Sequence, residues 1–271
     1  MLRRSLRLPL KGIMMPALPV ERYYGEIGAS TAVLAAIVES ADQALPIPTC
    51  PDWTLRHLAT HLGRAQRWAG EIVATRSAEF IEFRSVPDGK LPEDQAERGQ
   101  WLNAGAGRLI DALRGARTEM VWAFGESAPA SFWARRMSHE AMVHRADAEL
   151  AAGADVTMTP DLAADAIDEW LTVMSGQVYG RPDPRLTALP RGRALHVHAT
   201  DSELAGGEWL VRHSENGIRV SEEHGGGDVA LSGRAADVLL VLLGRRPPSD
   251  DAVRVYGDQD LLGSWLDGIK F

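Results

Sequence analysis

The amino-acid sequence predicts an α+β protein of two domains, a four-helix bundle followed by a smaller α/β domain. Two observations predict this class. Apolar residues recur at helical spacing up to about residue 176, and the period changes to strand-like alternation after the Pro-rich stretch YGRPDPRLTALPRG. The predicted domains cover residues 20–176 and 193–271, with a linker over 177–192. A chain of 271 residues is long enough to bury two modest cores.

Helical spacing of apolar residues defines the elements of the first domain. The predicted helices cover 20–44, 54–74, 93–113 and 132–152, and a further helix follows Pro160. Thr54 is a suitable N-cap for the second of these helices. The segment AFGESAPAS before the fourth helix is predicted to be a loop.

Alternating apolar residues define the second domain. ALHVHAT, EWLVRHS and GIRVSEE alternate like strands, and Asn216-Gly217 is a hairpin-turn signal between two of them. DVALSG is a fourth short strand and is followed by an apolar helix, AADVLLVLLG. The chain then closes with a strand in VRVYGD and a last helix in QDLLGSWLDG.

Charge and cysteine content limit the function classes. The formal net charge is −8, and residues 1–19 carry +4, which leaves −12 for the remainder. An acidic body argues against nucleic acid as a partner, because such binding depends on neutralising phosphates. The single cysteine excludes an intrachain disulfide and favours a cytoplasmic location. No apolar run approaches the roughly 18 residues of a membrane span, so no membrane partner is expected.

Residues 1–19 are predicted to form a disordered extension. Lys11 and two prolines interrupt the apolar residues, and a small-residue cleavage site is lacking, so a signal peptide is not expected. Met14 or Met15 is an alternative start, which leaves open whether residues 1–13 are translated.

Three side chains on two predicted helices form a candidate metal site. Glu140 and His144 are four residues apart and therefore share one helix face. His61 lies on the second helix, which can face the fourth in a bundle. Two imidazoles and a carboxylate suit a divalent metal with an open coordination position. Such a spacing also arises by chance, so it does not establish a metal site by itself.

Four segments of the sequence carry a resemblance to a known family. They are PTCPDWTLRHLATHLGRAQRWAGEIV, WARRMSHEAMVHRADAELAAG, ALSGRAADVLLVLLGRRP and GDQDLLGSWL. The first resembles the second helix, the second the metal helix, and the last two the C-terminal sterol-carrier-like domain of the mycothiol-dependent maleylpyruvate isomerase family, whose N-terminal domain is a DinB-like metal-binding bundle. The resemblance runs in order through residues 20–271.

The resemblance implies a cytoplasmic enzyme that uses mycothiol and a divalent metal, usually zinc. The implied metal ligands are His61, Glu140 and His144. The thiol would be activated as a thiolate at the metal and would attack an electrophilic small molecule, in an isomerase or thiol S-transferase reaction. Arg245 is the implied C-terminal arginine that reaches the active site and holds an anionic substrate. The substrate, the native metal and the oligomeric state stay open.

Three further residues near the motifs keep alternative interpretations. His57 stands where the family usually has an acid, and it can be an outer partner of the site, an extra ligand or a polar residue at the bundle end, of which we favour the last. Asp147 can orient the imidazole of His144 or be a solvated or capping acid. Cys50, between Thr49 and Pro51, is expected to be a packed loop residue rather than a nucleophile.

Four further histidines lie outside the candidate metal site. His139 is expected to be structural, and His196 and His198 share a strand face that can bind metal, although strand histidines more often do not. His224 precedes a glycine run in a predicted flexible loop.

The rival function is a non-catalytic module that binds a small ligand and whose metal is structural or absent. An open coordination position favours the enzyme, and a fourth protein ligand such as His57 would favour the module.

Overall fold

The computed structural model of the chain describes residues 18–175, 189–202 and 207–268. The first part holds α1 Val20–Ser40, α2 Leu55–Thr75, α3 Arg98–Ala116, the strands β1 Met120–Ala123 and β2 Glu126–Pro129, α4 Ser131–Ala151 and α5 Pro160–Met174. The second part holds β3 Ala194–Ala199, β4 Glu208–Ser214, β5 Gly217–Ser221, β6 Val229–Gly233, α6 Ala235–Leu242, β7 Val253–Gly257 and α7 Gln259–Gly268. A helical domain followed by a sheet-containing domain confirms the predicted α+β class.

Helices α1 to α4 form the bundle, in which α2 packs mainly against α3, and α1 packs against α4 and α3. The buried face of α2 repeats at intervals of three and four residues, as in Leu55, Leu58 and Leu62. Each fully buried leucine contributes roughly 1.5–3 kcal/mol through the hydrophobic effect. Thr54 and His57 form a capping box at the start of α2, as the predicted N-cap requires. The capped, amphipathic α2 is therefore fixed at its N-terminal end, the end that carries His61.

Some boundaries differ from the sequence-based predictions. The segment predicted to be a loop contributes to an antiparallel hairpin in which Ala123 pairs with Glu126. Phe124 and Gly125 both have positive φ, as the two central residues of a type I′ hairpin turn require. Each strand has only four residues, which is too short for alternation to reveal. Helix α1 ends at Ser40, and α3 begins only at Arg98 because a short 3-10 turn capped by Asp94 precedes it.

The second domain is a five-stranded sheet with the strand order β5-β4-β3-β6-β7. Strands β3 and β6 run parallel, and the other neighbours are antiparallel. Leu195, Val197 and Ala199 of β3 point into the core that α6 and α7 cover. Because side chains alternate along a strand, His196 and His198 lie on the opposite face. The strands and helices predicted for this domain are confirmed.

Helix α5 lies where the two domains meet. The sequence places this helix in the first domain, but in the structure it packs mainly against α6 of the second domain. Its Trp170 also meets Trp265 of α7 edge-on, with 5.9 Å between the ring centroids. Residues 177–188 of the predicted linker and residues 1–17 of the predicted extension lie outside the described residues. Within the part of the chain that the structure describes, no helix is both long and apolar enough to cross a membrane.

A buried ion-pair cluster connects the bundle to the sheet. Arg135 of α4 contacts Asp165 at 2.9 Å and Asp168 at 2.7 Å, both on α5, and all three side chains are buried. Trp209 of β4 donates a hydrogen bond from Nε1 to Asp168. Tyr23 of α1 donates one to Asp165. Burial alone would raise the pKa of Asp165, but the hydrogen bonds and charges of its partners outweigh it and lower the pKa to about 2.

Replacing Asp165 by asparagine should destabilise the fold by about 3–5 kcal/mol at neutral pH, because it removes one partner of a buried ion pair. The loss should appear as a lower free energy of unfolding in a denaturant titration. Asp161→Asn is the matched control on the same helix, since its pair with Arg22 is partly exposed and should cost about 0–1 kcal/mol.

The effect of Asp165→Asn should also depend on pH. A carboxyl whose pKa is lower in the folded state stabilises the protein above its unfolded pKa of about 4. That contribution is lost as the pH falls towards the folded value of about 2. The stability difference between wild type and variant should therefore shrink between about pH 4 and pH 2, and a constant difference would assign the effect to packing alone.

Candidate metal centre

Two helices of the bundle bring His61, Glu140 and His144 together. Nε2 of His61, on α2, lies 2.9 Å from Oε1 of Glu140, on α4. Nε2 of His144 lies 3.3 Å from the same oxygen. One carboxylate oxygen therefore faces two imidazole nitrogens, and the three ligand atoms lie within 4.8 Å of one another. The spacing of four residues on α4 places Glu140 and His144 on one face, as expected from the sequence.

The donor set fits a divalent transition metal. Two imidazole nitrogens and one carboxylate oxygen are ligands that zinc commonly takes in catalytic sites, where the remaining position is left open. Calcium and magnesium prefer a shell of oxygens and suit this set less well. The fixed orientation of His144 also fits, because metal-binding histidines usually donate their second ring N–H to a carboxylate or carbonyl.

Asp147 provides that outer contact. It is fully buried, and its Oδ2 lies 2.9 Å from Nδ1 of His144. Its other partners are Thr49, whose hydroxyl donates to Oδ1, and Arg245, whose Nε and Nη2 each lie 3.0 Å from a carboxylate oxygen. Of the two alternatives for Asp147, the structure therefore supports orientation of the imidazole.

The charges around the centre are strongly coupled. Burial would raise the pKa of Glu140, but hydrogen bonds from His144 and His61 and the charge of Arg136 hold it well below its usual range. Burial would lower the pKa of His144, and its hydrogen bonds to Asp147 and Glu140 instead raise it to about 9. The carboxylates are therefore ionised, and these contacts favour the cationic form of the His144 imidazole, in which both ring nitrogens are protonated.

A cavity of about 760 Å³ opens beside the three candidate ligands. Its walls come from the loop before α2, from α4 and α5, and from α6 and the residues after it, so both domains contribute. Apolar side chains such as Val143, Leu239 and Leu243 form much of the lining. A largely apolar cavity with a few convergent polar groups is the usual form of a small-molecule site.

Arg245 is the polar contribution of the second domain to this cavity. It follows α6 and lines the cavity, as the resemblance implied. Its guanidinium is not free, because Nε and Nη2 contact Asp147 and Nη1 donates to the carbonyl of Leu243. An arginine has five N–H donors in a rigid fork. The second N–H of Nη2 points at Sγ of Cys50, 3.8 Å away, which leaves one N–H of Nη1 without one of these contacts.

The structure also locates three other residues from the sequence analysis, His57, His139 and Cys50. His57 is exposed, and its Nδ1 accepts a hydrogen bond from the backbone N–H of Thr54, which supports the view that it is a polar residue at the bundle end. His139 is buried between Asp165 and Glu169, which supports its structural role. Cys50 lines the cavity, with Sγ 3.7 Å from Oδ2 of Asp147.

Sequence reasoning missed two residues that shape the centre. Trp53 lines the cavity, and its ring lies 5.0 Å from that of His61 and 6.1 Å from that of His144. Arg136 contacts both Glu140, at 2.7 Å, and Glu169. Because Arg136 lies four residues before Glu140 and therefore on the same helix face, their contact could have been predicted from the sequence.

Comparison with known proteins gives the family. Residues 24–149 match the mycothiol maleylpyruvate isomerase N-terminal domain, and residues 161–264 match the C-terminal domain of the same family. The chain belongs to the mycothiol-dependent maleylpyruvate isomerase family, which confirms the resemblance and the expectation of an enzyme.

Two solved structures share the fold. A crystal structure of the mycothiol-dependent maleylpyruvate isomerase matches this chain with a TM-score of 0.55 and 18% sequence identity. The match covers 89% of this chain and 95% of the solved chain. A histidine-to-alanine mutant of the mycothiol-dependent maleylpyruvate isomerase gives a TM-score of 0.55 at 16% identity, with the same coverage. No curated protein sequence matches the chain.

If the three side chains hold a metal, purified protein should contain about one tightly bound equivalent, measured by elemental analysis after dialysis. His144→Ala should lose it, because one of three protein ligands is removed. Asp147→Asn should weaken binding by only about 10–100-fold, as expected for an outer partner. His57→Ala is the control and should keep the metal. Wild-type metal content in His144→Ala would show that the ligand assignment is wrong.

Proposed function

We propose that this chain is a metal-dependent enzyme that takes mycothiol as thiol cofactor or co-substrate and adds it to an electrophilic small molecule. The observation that carries the proposal is the convergence of His61, Glu140 and His144 beside a cavity that both domains line. The absence of His57 from this group also favours the enzyme over the binding module, because three protein ligands leave a position for an incoming group.

The bound metal, with zinc our proposal, would lower the pKa of a coordinated thiol so that the nucleophilic thiolate is present near neutral pH. The side chains of this protein would keep the ligands ionised and oriented and would limit the access of water. Glu140 is kept ionised by its neighbours, and Asp147 holds the ring of His144 in one orientation. Apolar walls from both domains limit water around the reacting groups, which strengthens the electrostatic interactions inside the cavity.

Arg245 is our candidate for the residue that holds an anionic substrate. Its side chain is only 9% exposed and is fixed by Asp147, so little conformational entropy is lost when a carboxylate binds the remaining N–H of Nη1 or displaces the weak contact between Nη2 and Cys50. The thiol can be returned after the reaction, giving an isomer, or stay in the product as a thioether. The two solved structures are named for maleylpyruvate, which makes maleylpyruvate the first substrate to test.

The proposed activity can be tested with purified, metal-loaded protein, mycothiol and maleylpyruvate. Substrate loss that requires the thiol supports the proposal, and the thiol balance separates the two outcomes, because an isomerase returns the thiol and an S-transferase consumes it. Turnover that is equal with and without thiol would contradict it. If maleylpyruvate is inert, a deletion strain should show a changed mycothiol conjugate. We also propose a cytoplasmic location, because the single cysteine of this chain cannot form the intrachain disulfides that are common in secreted proteins.

Arg245→Ala should lower kcat/KM for an anionic electrophile by about 10–100-fold, the cost of one or two charge-assisted hydrogen bonds. Arg246→Ala is the matched control, since the neighbouring arginine pairs with Asp237 and Asp250 instead. The KM for the thiol should change less than that for the electrophile. If Asp147→Asn reproduces the whole effect and the double variant adds nothing, Arg245 only positions Asp147.

Cys50→Ser should keep turnover within a few-fold of wild type. The thiol lies in the cavity wall, but burial and the charge of Asp147 raise its pKa, so the unreactive protonated form dominates at neutral pH. Metal content and steady-state kinetics should be measured on the same preparation. Loss of activity in a folded, metal-loaded variant would identify an internal thiol nucleophile and contradict the use of an external thiol.

A further inference from the structure

A second group of imidazoles and a carboxylate lies on the outer face of the C-terminal sheet. His196 and His198 project from β3, and Glu208 of β4 stands directly opposite His198 in the antiparallel register. His224 comes from the segment between β5 and β6. None of these four side chains lines the cavity of the first centre.

The distances bring these groups close to a common point. Nδ1 of His224 lies 2.8 Å from Oε2 of Glu208, and Nε2 of His196 lies 3.7 Å from the same oxygen. One ligand atom from each of the three residues lies within 4.8 Å of the others. Ligands of a tetrahedral zinc at its usual bond lengths are about 3.3–3.4 Å apart, so shifts of about 1.5 Å or less would complete the geometry.

His196 supplies an independent observation. It is only 8% exposed, and its Nε2 has no hydrogen-bond partner among the residues that the structure describes. A buried polar atom without a partner costs about 1–3 kcal/mol, so such atoms call for an explanation.

The chain segment that carries His224 is packed closely on the sheet. A Cβ added at Gly225 would lie 2.8 Å from Cδ2 of Leu210, and one at Gly227 would lie 2.8 Å from the backbone nitrogen of His196. Only glycine allows these approaches without displacement of the neighbours. The glycine run, which has no phosphate-loop spacing, is thereby explained as the means by which His224 reaches Glu208.

We propose that His196, Glu208 and His224 form a second metal site, separate from the first centre, for zinc or a similar divalent transition cation. His198, whose Nε2 lies 3.8 Å from Oε1 of Glu208, is available as a fourth ligand. Imidazole-rich sets of this kind select zinc-like cations over calcium and magnesium. A cation bound by His196, Glu208 and His224 would hold the segment between β5 and β6 on the sheet.

The test is a zinc titration of the full chain, with bound zinc measured after equilibrium dialysis. His224→Ala should bind one equivalent less than wild type, whatever the first centre holds. His224 is largely exposed, so its removal should not unfold the protein. Glu208→Gln, which keeps the shape of the side chain, should lose the same equivalent. The matched control is His57→Ala, another exposed histidine, which should bind as much zinc as wild type.

Thermal unfolding gives a second readout that does not depend on activity. Zinc at 100 times the dissociation constant of the site should stabilise wild type more than His224→Ala, because binding to the folded state alone raises the melting temperature. The proposal is wrong if His224→Ala and Glu208→Gln bind as much zinc as wild type. It is equally wrong if His57→Ala loses the same amount, which would indicate unspecific binding to exposed histidines.

Discussion

The carboxylate of Asp147 is the contact on which the architecture of the centre depends. It joins the imidazole of the candidate ligand His144 to the guanidinium of Arg245, which follows α6, and both interactions are largely buried. A buried carboxylate is costly unless hydrogen bonds satisfy it, and here Thr49, His144 and Arg245 all contribute. Burial alone would raise its pKa, but these hydrogen bonds and charges hold the pKa well below its usual range. The orientation of His144 and the docking of the second domain are thus coupled through one side chain.

A chain of buried charges extends this coupling away from the centre. It leads from the candidate ligand Glu140 across α4 and α5 to the C-terminal sheet, through Arg136, Glu169, His139, Asp165, Arg135, Asp168 and Trp209. Each link is a hydrogen bond or an ion pair, and most of the side chains are buried. Networks of this kind tolerate little displacement, because a partner that moves leaves a charge unsatisfied in a medium of low dielectric constant. The domain interface is therefore polar and specific as well as apolar.

The sequence predicted the features that depend on local periodicity. The helices, the strands of the second domain and the shared face of Glu140 and His144 all follow from repeats of 3.6 or 2 residues. The β1–β2 hairpin was missed because four-residue strands hold too little alternation. The contact between Asp147 and Arg245 spans 98 residues, and no local pattern encodes its geometry. Only the resemblance to the family indicated that an arginine after α6 reaches the bundle, and even so it did not reveal that the guanidinium is held by Asp147.

The distance along the chain between Asp147 and Arg245 also has a consequence for biosynthesis. Ribosomes add about 5–20 residues per second, so Arg245 is made roughly 5–20 s after Asp147. During that interval the helices that carry His61, Glu140 and His144 have already been translated, while the wall formed by α6 does not yet exist. The nascent bundle is thus more open to solvent and ions than the finished protein. Because Leu239, Leu243 and Arg245 line the cavity beside the three candidate ligands, these ligands are more accessible before the second domain has been synthesised.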